Sequence, residues 1–272
     1  AANIPVLLME TGMVYRAIGN YTESGTAYEK ALHIWRRDGN LSWQANLLNN
    51  LGVLRHFQGE YEKAVLAFEE GLISAQRSGY TRMEALIAIG LGDLYTELED
   101  YSVAERNYQH AQEIIQGMDD RFLIFYLMIA QVNLFLAQKK TAEAYHLITD
   151  AVVMLRSGVS LYEKGLLNLG FGRLSLLEGN PSKAVGEFEE AERCFSEDGR
   201  KLEGDASRIW LAAAYHRTKN NASARLMIKT ILGSRGQATD AVLVAIHQAS
   251  DWLDGLQTDP EVGRVVGDLL IR

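Results

Sequence analysis

In residues 51–71 the apolar positions fall at helical spacing: Leu51 and Gly52, then Tyr61, Ala64, Phe68 and Gly71. This order puts small residues where two antiparallel helices touch and large ones where they fill the space between. The pattern returns every 40 residues. A first-helix anchor recurs at Gly12, Gly52, Gly92, Val132, Gly172 and Ala212. A small second-helix position recurs at Ser24, Ala64, Ala104, Ala144, Ala184 and Ala224, and one turn later come Tyr28, Phe68, Tyr108, Ile148, Phe188 and Ile228. Self-similarity at a fixed interval is the signature of a repeat protein. It predicts an all-α fold, a solenoid of stacked antiparallel helix pairs, with six hairpins over residues 1–238.

The polar punctuation agrees with that division. Gly19-Asn20, Gly59-Glu60, Glu99-Asp100, Lys139-Lys140, Gly179-Asn180 and Lys219-Asn220 sit between the two helices of each unit. Glycine supplies a left-handed turn there, and Asn or Asp is expected to cap the following helix. Pro5, Pro181 and Pro260 fall near predicted helix starts, where a missing N–H costs nothing. Residues 239–272 read as a degenerate C-terminal capping hairpin, with helices over 240–254 and 261–271. Trp252 stands at the anchor position and is expected to cover the open end.

A chain of 272 residues exceeds the size of most compact domains, but a solenoid grows by adding neighbours, so one elongated body is expected. The net charge of −8 is spread along the sequence without a basic stripe, which argues against direct contact with nucleic acid. A single cysteine, Cys194, forms no internal disulfide and fits a reducing, cytoplasmic setting. The start, AANIPVLLMETG, lacks the organisation of a signal peptide, and a pattern already running by Gly12 suggests a fragment of a longer protein. The most apolar stretch, 122–137, is short for a membrane span and contains Gln131 and Asn133, so it reads as a buried helix.

Chemistry is sparse. The six histidines never pair at metal-ligand spacing, and no nucleophile stands near a base in a recognisable pattern. Cys194, beside Phe195, reads as a packed thiol. These features predict a non-catalytic protein without metal or cofactor.

The Leu-Gly, Tyr, Gly-x-Tyr, Ala, Phe and Ala/Gly positions of residues 45–77 resemble the tetratricopeptide repeat. That resemblance implies a right-handed superhelix with a concave groove lined by first helices. Repeats of 40 rather than 34 residues are similar to the sensor region of MalT-type transcriptional activators, which are signal-transducing ATPases, and to kinesin light chains and bacterial peptide-sensing regulators. Leu47-Leu48-Asn49-Asn50-Leu51-Gly52 is similar to the Asn-bearing first helix of those peptide binders. Carried onto this sequence, the groove positions are Asn46, Asn49, Val53 and His56, then Leu86, Ile89 and Asp93, with Thr96 and Glu97 beyond. Tyr126, Ile129 and Asn133 follow, then Leu166, Leu169 and Arg173, and His216 in the last repeat. Asp93, Asn133 and Arg173 would form a polar spine flanked by apolar residues.

Two readings of this face stay open: a groove that takes an amphipathic helix or extended peptide, or apolar faces that pack on one another. The resemblance implies a sensor or protein-interaction module of a larger MalT-like regulator, with a protein segment, a peptide or a small effector as partner. The alternative is a constitutive adaptor that recruits a protein without signalling. No phosphate-binding loop and no helix-turn-helix lies within the sequence.

Overall fold

The computed structural model describes residues 4–155, 158–233 and 240–253. Among these residues all regular structure is helical and no strand occurs. The chain divides into two compact units, residues 1–137 and 138–272. The first holds α1 (Ile4–Ala17), α2 (Tyr21–Arg37), α3 (Leu41–Phe57), α4 (Tyr61–Ser78), α5 (Thr81–Glu97), α6 (Tyr101–Ile115) and α7 (Arg121–Ala137). The second holds α8 (Thr141–Met154), α9 (Leu161–Leu177), α10 (Pro181–Glu197), α11 (Lys201–Arg217), α12 (Asn221–Gly233), α13 (Asp240–Gln248) and α14 (Ser250–Leu253). Within each unit consecutive helices pack as neighbours, α1 through α7 and α8 through α12, and α3 also packs on α5, α5 on α7, α9 on α11 and α11 on α13. The expected all-α array of stacked pairs is therefore the observed fold.

The anchor glycines have a direct physical cause. A Cβ on Gly12 would lie 2.5 Å from the Tyr28 ring, on Gly52 2.6 Å from Phe68, on Gly92 2.3 Å from Tyr108 and on Gly172 2.4 Å from Phe188. In each hairpin the aromatic ring lies flat on the backbone of the first helix, a place only glycine leaves free. All four rings are buried. The sixth hairpin makes the opposite choice, with Ala212 and Ile228 in one core, so the methyl group is accommodated by a thinner partner. The neighbouring small position is equally constrained: Ser24 is buried and its hydroxyl donates to the Gly12 carbonyl at 2.8 Å, which satisfies a polar group that would otherwise be costly.

The turns correct one expectation. Gly19, Gly59 and Gly179 adopt positive φ, as do Glu99 (59°), Lys139 (58°) and Lys219 (64°) at the equivalent positions. The left-handed conformation is thus imposed by hairpin geometry whether or not glycine is present. Asp100 accepts from Val103 N and Asn220 from Ser223 N, but Asn20 and Asn180 make no side-chain cap. With or without a side-chain cap, the residue at N-cap donates its own N–H back to the preceding helix, Asn20 to Tyr15 O, Asn180 to Ser175 O and Asn220 to Tyr215 O, each at 2.8 Å. The backbone turn is closed without the side chain.

Pro5 is the second residue of α1 and Pro181 the first of α10. The helix expected over 240–254 is two segments, α13 and α14, separated at Ala249, whose methyl is buried. Trp252 is half-buried against Trp210 of α11, with ring centroids 5.8 Å apart. The helix expected over 261–271, with Pro260, lies outside the described residues. No described helix is long and apolar enough to cross a membrane.

Candidate binding face

The sequence-derived positions lie on first helices: four on α3, three on α5, three on α7, three on α9 and His216 on α11. Their accessibility separates them. Asn46, Asn49, Val53 and His56 are half-buried, as are Leu86, Asp93, Tyr126, Asn133, Leu166, Leu169, Arg173 and His216. Ile89 is completely buried and Ile129 nearly so, which makes both part of the core and leaves them little surface to offer a ligand.

In the first unit, α3 to α6 bring a polar cluster together. The His56 ring Nε2 lies 2.8 Å from Glu97 Oε2, and the Tyr61 hydroxyl donates to Glu97 Oε1 at 2.9 Å. Tyr108 donates to Asp93 Oδ1 at 2.8 Å and lies 3.3 Å from the Thr96 hydroxyl, which itself donates to the Gly92 carbonyl. Burial pushes the Asp93 carboxyl up to about 6; the nearby Glu97 charge adds to this, whereas the Tyr108 hydrogen bond and His56 oppose it. Burial raises Tyr108 well above the usual phenol range, and the Asp93 charge pushes it the same way. Tyr61 is pushed up to about 12 by burial and then by Glu97.

Tyr61 and Tyr108 do not stand among the sequence-derived positions. Both are large residues of the hairpin pattern, and at that level tyrosine and phenylalanine fill the same space. The available signal is the replacement of Phe68 and Phe188 by Tyr108 at the equivalent position, next to a carboxylate one residue beyond the anchor.

In the second unit Arg173 lies on the Trp210 ring, with its guanidinium carbon 4.9 Å from the centroid. Trp210 in turn stacks on Phe188 at 6.0 Å. Burial lowers the Arg173 pKa to about 10, and the arginine remains a cation held over an aromatic face. His216 Nδ1 lies 2.9 Å from Asn221 Oδ1, at the turn into α12. Asp93 and Arg173, expected as parts of a ligand-facing spine, are thus each engaged by aromatic residues of their own unit.

Asn49 differs from these. It is half-buried on α3 and makes no side-chain hydrogen bond among the described residues, whereas its neighbours Asn46 and Asn50 bond to each other at 3.4 Å. A cleft of about 610 Å³ also lies between α6 and α7, lined by Gln109, Gln112, Gln131 and Phe135 among others; it includes none of the sequence-derived positions. Cys194 is buried and its thiol pKa is raised, first by burial and then by Glu190, so it is a packing residue.

Residues 4–77 match the tetratricopeptide repeat family. The fold is similar to that of a Signal Transduction ATPase with Numerous Domains (STAND) protein with a tetratricopeptide repeat sensor from Pyrococcus horikoshii, with 19% identity, a TM-score of 0.57 and coverage of 92% of this chain. The chain spans 37% of that protein's length. It is also similar to BtubC (BKLC) from P. vanneervenii, with 17% identity, a TM-score of 0.54, and coverage of 79% of this chain and 88% of that one. No curated protein matches by sequence. The fold is an array of tetratricopeptide repeats resembling the sensor region of a STAND protein. Repeats of this family are protein-interaction modules and typically non-catalytic.

Proposed function

We propose that this array is the sensor or interaction module of a larger, cytoplasmic, MalT-like regulator, and that it binds a peptide or protein segment along the first-helix face of α3, α5 and α7. The observation that carries the reading is Asn49, half-buried on that face with no side-chain hydrogen bond among the described residues. A half-buried amide offers two donors and an acceptor, the set that an extended backbone or a helix end requires. Val53, Leu86 and Tyr126 are half-buried on the same helices, so an apolar side chain of the ligand has somewhere to go. Each fully buried anchor contributes about 1.5–3 kcal/mol before the costs of association. A small effector would use the same amide. The cap expected over residues 239–272 is supported, within its described part, by Trp252 against Trp210.

Ligand binding would select one arrangement of the repeats over another and bias the module attached to them. The test is affinity selection from a displayed peptide library on the wild-type chain and on Asn49→Ala, with thermal melting as the control for folding. Selected peptides should bind the variant at least about tenfold more weakly at an unchanged melting temperature. Equal affinity for both proteins would remove the face from the account. If the peptides bind but the parent gene encodes neither an ATPase nor a DNA-binding module, the constitutive-adaptor reading replaces the sensor.

A further inference from the structure

The outer side of α1 carries an apolar stripe. Ile4 is 60% exposed, Leu7 59%, Val14 60% and Ile18, just after the helix, 57%. Four large apolar side chains in one line on one helix are a surface that water does not favour. What covers such a stripe is visible elsewhere in the same unit, because the repeat supplies equivalents 40 residues apart.

Leu47 and Leu54 stand on α3 where Leu7 and Val14 stand on α1, and both are completely buried. They pack in one cluster with Tyr28, Ala31, Leu32 and Trp35 of α2. On α5 the equivalents are Ile87 and Leu94, in one cluster with Phe68 and Ala75 of α4. On α7 they are Leu127 and Leu134, with Tyr108, Ala111 and Ile115 of α6. Three times the stripe is covered by the second helix of the preceding hairpin. The approach is close: a Cβ on Gly25 of α2 would lie 3.6 Å from Leu54, and on Gly71 of α4 3.1 Å from Ile87.

A terminal repeat that faces water normally carries polar residues on its outer side. Leu7 and Val14 instead keep the apolar character of the interior repeats. We infer that this face stacks against a further helical hairpin of the same 40-residue kind, placed ahead of α1 in the parent polypeptide. Its second helix would present an aromatic residue flanked by small ones, as α2 and α4 do. A second copy of the chain offers less, since α2, α4, α6, α8 and α10 already have their matching faces packed against α3, α5, α7, α9 and α11, which leaves α12 as the described second helix it could present. The inference is independent of ligand binding on the groove side.

The experiment compares the chain with a version extended at its N-terminus by a copy of residues 41–80, which keeps the 40-residue register. Leu7→Glu/Val14→Glu is made in both. The extension should raise the melting midpoint by roughly 5 °C and reduce binding of a dye specific for exposed apolar surface. The paired substitutions should cancel that gain while leaving the midpoint of the unextended chain unchanged. Three results overturn the inference: an extension without effect, a fall in the unextended chain's midpoint on substitution, or an α1-mediated dimer that persists after extension.

Discussion

Asp93 should make the first unit less stable as the pH rises, and Asp93→Asn should remove that dependence. The carboxyl is held at about 6 in the folded chain against an ordinary value of 3.8, chiefly by burial. Below both values the group is neutral folded and unfolded, and it costs nothing. Between them the unfolded chain has already released its proton while the folded chain has not. Stability is therefore lost as pH rises from about 4 to about 6, then stays level. A shift of about two units corresponds to roughly 3 kcal/mol at neutral pH. Asparagine keeps an acceptor for the Tyr108 hydroxyl, 2.8 Å away in the wild type, but carries no charge. His56, Glu97, Tyr108 and Tyr126 also bear on the site, and all remain in the variant. The assay is urea unfolding of both proteins at pH 4, 5, 6 and 8. The variant should match the wild type at pH 4 and exceed it by up to about 3 kcal/mol at pH 8. A difference that is constant across this range would refute the reasoning, because it would mean that the charge on Asp93 carries no cost in the fold.

Two further substitutions test the hairpin rules. Glu99→Gly, at a φ of 59° on an exposed turn, should stabilise by about 1 kcal/mol, less whatever the freer unfolded chain takes back, as read from the shift in the urea midpoint. Gly172→Ala, whose new methyl would meet the Phe188 ring at 2.4 Å, should destabilise by about 1–3 kcal/mol despite alanine's better helix propensity. Adding Phe188→Ile should recover part of that loss in a double-mutant cycle, since it recreates the Ala212 and Ile228 pairing of the sixth hairpin; strict additivity would contradict the packing account.

The anchors were legible in the sequence because their cause repeats. An aromatic ring laid on a helix backbone excludes a Cβ in every hairpin that contains one, so glycine and ring recur together at a fixed spacing. The left-handed turns were legible at Gly19, Gly59 and Gly179 but hidden at Glu99, Lys139 and Lys219, where the closure of the hairpin outweighs the side chain's preference. The uncapped Asn20 and Asn180 illustrate the same priority. The backbone N–H closes the turn whether the residue at N-cap uses its side chain, as Asn220 does, or not, as at Asn20 and Asn180.

The site was less legible because periodicity reports shape and not hydrogen bonding. Tyr108 fills the space that Phe188 fills, yet its hydroxyl also donates to Asp93. Glu97 likewise reads as one more groove position until Tyr61, from the second helix of the preceding hairpin, is seen to bond it. A polar residue on a first helix can be claimed by a second helix, and once claimed it organises the array before any ligand arrives. Releasing such a carboxylate for a ligand would leave its partner unsatisfied, at a cost of about 1–3 kcal/mol. Under the proposed reading, recognition would fall to groups that folding leaves unclaimed, and among the described residues of α3 Asn49 is such a group, between the paired amides of Asn46 and Asn50 and the half-buried Val53.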